Sequence, residues 1–104
     1  MIVTSILPTD VGGEYNKQRI TYLNSKIKDE VEREGGKFID LDRHFITDNR
    51  INKELYKTES CGLLHINEKG ARVVIRTINS ELKKMGLNEI IEDFRRDTHP
   101  YRRR

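Results

Sequence analysis

Three histidines and one cysteine are the side chains here that can exchange protons or attack carbon near neutral pH, and His65 has the most suggestive setting. It lies in Leu63-Leu64-His65-Ile66-Asn67-Glu68-Lys69-Gly70-Ala71, the last loop before an apolar-periodic segment. A histidine placed there can serve as a general base. Ester hydrolysis asks for a nucleophile, a base within hydrogen-bond reach, an acid that orients the base, and donors for the oxyanion. The nearest carboxylate to His65 is Glu59, six positions earlier, which makes it the candidate orienting acid. Cys61 could pair with His65 as a nucleophile, but nothing local favours its thiolate, and a lone buried cysteine is the commoner case. Ser5, Ser25, Ser60 and Ser80 lack the glycine-flanked sharp turn that exposes a nucleophile. Asp40 and Asp42 fall at the end of an apolar run, where α/β sites form but where an Asp also serves as a cap or closes a loop. His44 has no partner in view and His99 lies near the C-terminus. No metal-ligand cluster and no cofactor motif stands out, so neither is expected.

The elements that must hold His65 are legible in the spacing. Ala71, Val74, Ile75, Ile78 and Leu82 step by three and four, which predicts an amphipathic helix begun by an Asn67 cap and ended at Gly86. Ile2 to Leu7, stopped by Pro8, reads as a buried strand, and Thr9 to Gly13 as a loop. From Glu14 onward Ile20, Leu23, Ile27 and Val31 predict a second amphipathic helix that ends at Gly35-Gly36, and Lys37 to Asp42 a second strand. Strand, helix and strand in about 40 residues is a right-handed parallel crossover, so the class is α/β. Beyond it, His44, Phe45 and Ile46 begin a short helical turn and Asp48-Asn49 a polar loop, while Ile51, Leu55 and Tyr56 pack underneath. Leu87, Ile90, Ile91 and Phe94 make a last short helix. Two parallel strands cannot bury enough apolar surface alone, so the chain reads as the C-terminal portion of a larger α/β domain.

Composition sets the remaining bounds. A chain of 104 residues builds one small domain that buries about two-thirds of its unfolded surface. The net charge of +3 is concentrated at the end: residues 95–104 hold five Arg and one Asp, and the rest of the chain is close to neutral. The expected organisation is therefore a domain over residues 1–94 and a basic tail over 95–104, either solvated and disordered or meeting an anionic partner such as RNA or a membrane surface. No apolar run reaches the roughly 18 residues of a membrane span, and Met1 to Leu7 lacks the features of a signal peptide. One cysteine allows no internal disulfide, which points to a reducing, cytoplasmic setting.

Several blocks in order then carry a resemblance: Ile2 to Leu7 with Pro8, a helix containing Asn16 and Leu23-Asn24, Phe38-Ile39-Asp40-Leu41, and Leu64-His65-Ile66-Asn67 with Gly70. Over roughly residues 2–85 the chain resembles the C-terminal half of SGNH hydrolases, the GDSL esterase and lipase family. The resemblance implies a flavodoxin-like three-layer sandwich, parallel strands flanked by helices, with His65 as the catalytic base, carboxylic esters as substrates and no cofactor. The family's nucleophilic serine, in a Gly-Asp-Ser block, and its oxyanion Gly and Asn belong to N-terminal blocks that this sequence does not contain. Its aspartate three residues before the histidine, in Asp-Gly-Leu-His, falls here at Gly62, within Cys61-Gly62-Leu63-Leu64-His65. The expectation is an esterase segment that is inactive alone. The alternative is a degenerate, non-catalytic domain that binds an acidic partner through Arg95, Arg96 and Arg102 to Arg104.

Overall fold

Two amphipathic helices and two pairs of short strands carry the chain in the computed structural model, which describes residues 1–88. The first strand, β1 (Ile2–Thr4), pairs in parallel with β2 (Lys37–Ile39), Ile2 opposite Lys37 and Thr4 opposite Ile39, and the helix α1 (Gly13–Arg33) connects them. The expected strand-helix-strand unit is present. Pairing continues past β1, where the Ser5 amide donates to the Ile39 carbonyl at 3.0 Å and the buried Ser5 hydroxyl accepts from the Leu41 amide at 2.8 Å.

The reading of β1 as a fully buried strand is corrected. Its regular part is three residues long, and the run is unevenly covered: Ser5 is buried, Val3, Thr4 and Leu7 are half-buried, and Ile2 and Ile6 are about 40% and 39% exposed. A strand turns successive side chains to opposite faces, so one face here is covered and the other is open. The helix α1 carries Val31, buried, and Asn24, whose side-chain oxygen accepts from the Ile6 N–H at 2.7 Å and whose side-chain nitrogen donates to the Ile6 carbonyl at 3.1 Å. Asn24 thereby supplies the Ile6 backbone with the bonds a neighbouring strand would give. Leu23, counted on the apolar face from its spacing, is instead exposed.

After β2 the Asp40 carboxylate accepts from the Asp42 amide at 2.9 Å, closing the loop in the manner expected of an Asp at a strand end. A 3₁₀ turn (Asp42–Phe45) then leads into a hairpin of β3 (Ile46–Thr47) and β4 (Arg50–Ile51). Its two linking residues, Asp48 and Asn49, both have positive φ, at 52° and 64°, the conformation that matches a two-residue hairpin turn to the twist of its strands. A second 3₁₀ turn (Lys53–Leu55) follows. The final described helix, α2 (Glu68–Lys84), starts where Asn67 caps it by accepting from the Gly70 amide at 2.9 Å, and it ends before Gly86 at a φ of 75°. Both ends agree with the sequence reading. The expected helix through Ile90, Ile91 and Phe94, and the basic segment 95–104, lie outside the described residues. Among the described residues no helix is long and apolar enough to cross a membrane.

The core that positions the histidine loop consists of Phe45, Leu55 and Tyr56, with Leu7, Ile51, Leu63, Ile66, Val73 and Val74 packed against it. Phe45 and Tyr56 meet edge to face at 5.8 Å between ring centres. The Tyr56 hydroxyl reaches through this core to donate to the Pro8 carbonyl. Burial, helped by the negative charges of Asp42 and Asp10, pushes its pKa up to about 12 from 10.0. The neutral phenol is thus favoured by folding, so its contribution is complete below pH 10 and is lost as pH rises toward about 12. Tyr56→Phe is expected to lower stability at neutral pH by about 1 kcal/mol through the lost hydrogen bond, and to abolish this alkaline loss. Urea unfolding at neutral pH and between pH 10 and about 12 measures both effects.

Candidate active site

His65 is fixed by its backbone before its ring is considered. Residues 65–67 run antiparallel to residues 55–57: the Lys57 amide donates to the His65 carbonyl at 2.8 Å, the Asn67 amide to the Leu55 carbonyl at 3.0 Å, and Tyr56 and Ile66 form a bridge. The Asn67 side chain adds bonds to the Glu54 and Tyr56 carbonyls. The intervening residues loop out, with a turn in which the Gly62 amide donates to the Glu59 carbonyl at 3.3 Å.

Within this loop Glu59 folds back onto the histidine. Its two carboxylate oxygens lie 3.1 and 2.9 Å from His65 Nδ1, and one also accepts from the His65 amide at 3.3 Å. An ionised carboxylate can only accept, so Nδ1 carries a proton and, in the neutral ring, Nε2 keeps its lone pair. Nε2 makes no hydrogen bond among the described residues, and the histidine side chain is 63% exposed. This is the arrangement of a base held by its rear nitrogen. The hydrogen bond from His65, opposed in part by desolvation, holds the Glu59 carboxyl below its ordinary value of 4.5. A depressed carboxylate contributes its stabilisation above that ordinary value and loses it as pH falls through the lowered one, so acid releases the loop from Glu59.

Gly62 stands where the resembling family has its aspartate, and a side chain there would have to displace the Asp10 carboxylate. The φ of Gly62 is +118°, and a Cβ there would lie 2.6 Å from an Asp10 carboxylate oxygen. That oxygen is engaged with the Leu63 amide at 2.6 Å, and the Thr9 hydroxyl donates to the Leu63 carbonyl at 2.6 Å. From the sequence, Thr9 and Asp10 read only as part of a turn-forming loop. The usable signal was their position directly after Pro8 at the end of the first strand run, the end at which α/β folds place their sites.

The other candidates separate from His65. Cys61 is exposed at the tip of the Glu59–Gly62 turn, correcting the expectation of a buried thiol: a turn this tight leaves its tip outside the core. Ser5 is buried with its hydroxyl engaged, and Ser25, Ser60 and Ser80 are exposed. His44 is exposed in the first 3₁₀ turn, and His99 lies outside the described residues. Asp42 is half-buried, its carboxyl raised by burial and by neighbouring Asp40. Among the described residues no group of His, Cys, Asp and Glu could hold a metal ion.

A cleft of about 420 Å³ is lined by Glu59 but not by His65, and among its other walls are Asp10, Lys53, Glu54, Tyr56 and Lys57. A second cleft, of about 320 Å³, lies between Pro8, the first turns of α1 and the β3–β4 hairpin, and His65 takes no part in it. What the fold and the site define is a mixed α/β chain bearing an exposed histidine paired with a half-buried carboxylate. Compared with protein-family models, with curated proteins and with solved structures, the chain matches none.

Proposed function

We propose that the chain is the C-terminal part of an SGNH-type serine esterase, with His65 as the general base and Glu59 in the part of the orienting acid. The observation that carries this reading is the pairing of both Glu59 oxygens with Nδ1, which leaves Nε2 open on the exposed side of the ring. In such an enzyme Nε2 takes the proton of a serine hydroxyl as its oxygen bonds to the ester carbonyl carbon, then returns that proton to the departing alcohol; water repeats the sequence to release the acid. The serine and the oxyanion donors come from a part of the domain that this sequence does not contain, so the chain alone does not turn over esters. The open face of β1, with Ile2 and Ile6 exposed, supports a further layer packed on β1 and β2, as in the three-layer sandwich. A cytoplasmic setting accords with the exposed, unpaired thiol of Cys61.

Treating a native source extract with a fluorophosphonate serine probe and identifying the labelled proteins by mass spectrometry tests this reading. Peptides of this chain are expected in a labelled protein well above 12.3 kDa. Label on a 12.3 kDa species would mean that one of its own serines reacts, which overturns the division of the site. Peptides found solely in unlabelled protein would overturn the esterase reading in favour of a degenerate domain that binds an acidic partner through residues 95–104.

A further inference from the structure

We infer that Thr9 and Asp10 act as a two-point clamp on Leu63 that positions the Glu59–His65 pair, making Asp10 a positioning residue of the site. The inference rests on the reading of that pair as base and orienting acid, and it is carried by hydrogen bonds between segments more than 50 positions apart in sequence.

Leu63 sits between Glu59 and His65, and both of its backbone polar groups are taken by the loop after β1: the amide by Asp10 Oδ1 and the carbonyl by Thr9 Oγ1, each at 2.6 Å. The Thr9 hydroxyl has one proton to give. Because it also accepts from the Val11 amide at 3.1 Å, its orientation is set within its own loop. That loop is in turn tied to α1, where the Asn16 side-chain nitrogen donates to the Val11 carbonyl at 2.8 Å and the Gly13 backbone amide to the Asp10 carbonyl at 3.3 Å. A continuous path of bonds therefore runs from the start of α1 through Thr9 and Asp10 to Leu63. On the other side of the site, the Lys57 amide holds the His65 carbonyl.

The loop carrying Glu59 thus has two anchors, Leu63 and the paired segments at 55–57 and 65–67. Without the first, the turn at Ser60 to Gly62 can swing, and Glu59 is free to leave the exposed ring it meets from a half-buried position. Gly62 fits the same account, since the absence of a Cβ is what lets the Asp10 carboxylate approach. The charged groups that act on the Glu59 carboxyl are His65 and Lys57, and Asp10 is not among them.

Ring ¹⁵N NMR of the full 104-residue chain with the imidazole neutral, together with the titration of the Glu59 carboxyl, tests the clamp without any substrate. In Asp10→Ala and in Thr9→Val, the Nδ1–H signature of His65 is expected to fall to that of a free imidazole, with Glu59 titrating near 4.5. Asp10→Asn keeps an acceptor oxygen at the same place and is expected to retain the wild-type pattern. The clamp is overturned if Asp10→Ala and Thr9→Val, with their helical circular dichroism intact, leave the ring unchanged. It is equally overturned if Asp10→Asn falls with Asp10→Ala, which would assign the effect to charge. Should Asp10→Ala fail to fold, Thr9→Val decides by the same criterion. A negative serine-probe result refutes the esterase reading and leaves this measurement standing.

Discussion

Gly70→Ala is expected to cost at least about 3 kcal/mol of folding stability, a large share of what a domain of this size has. Gly70 is in the first turn of α2, where its amide donates to the Asn67 cap. A Cβ at this position would lie 2.3 Å from the Leu55 carbonyl oxygen and 2.9 Å from Ile66 Cβ. Neither neighbour can rotate out of the way. The Leu55 oxygen is backbone, and it accepts from the Asn67 amide, so moving it breaks the pairing that holds residues 65–67 in place. Gly35→Ala provides the contrast: its φ is +80° and nothing lies within 4 Å of its Cβ, so it should cost only the left-handed strain of about 1–2 kcal/mol. Urea unfolding followed by circular dichroism separates the two, since the chain has no Trp to follow by fluorescence. Equal losses in the two variants would mean that α2 does not start against Leu55 as described.

The helices were legible because their information is local. Apolar residues at three and four positions, an Asn at the start and a Gly past the end predict α2, and the structure places its cap and terminus at Asn67 and Gly86. The β-branched run at Ile2 was legible as a strand but not in its burial, since coverage depends on what packs against it. From the sequence, Asp48-Asn49 reads only as a polar loop. The hairpin's signal, two residues tolerant of positive φ between Ile46-Thr47 and Arg50-Ile51, was present but weak, because each strand is only two residues long. At the site, His65 stood out by type and setting, and Glu59 was named as the nearest carboxylate while its reach stayed open. The contact between them depends on the loop turning back at Gly62, and that turn is held by Thr9 and Asp10 from a distant segment. No periodicity encodes such a contact.

In the serine-bearing protein that the esterase reading requires, His65→Ala is expected to reduce kcat/KM for a carboxylic ester by a factor on the order of 10⁴ to 10⁶, because without the base the serine hydroxyl keeps its proton as it attacks. Glu59→Ala should cost less, about 10²-fold. The carboxylate faces a ring that is mostly exposed, and in water-rich surroundings the attraction between a carboxylate and an imidazolium at about 3 Å is heavily screened. What Glu59 supplies is chiefly the Nδ1–H tautomer and the ring's orientation, and misplacing a reacting group by about 1 Å is enough for a loss of that size. The two effects should not add in the double variant, since Glu59 acts through His65 and has nothing to orient once the ring is gone. Steady-state rates of the two single variants and the double variant decide the matter. An unchanged rate in His65→Ala removes the base assignment. A double variant slower than His65→Ala by the full Glu59 factor would give Glu59 a role of its own in the chemistry, separate from holding the histidine.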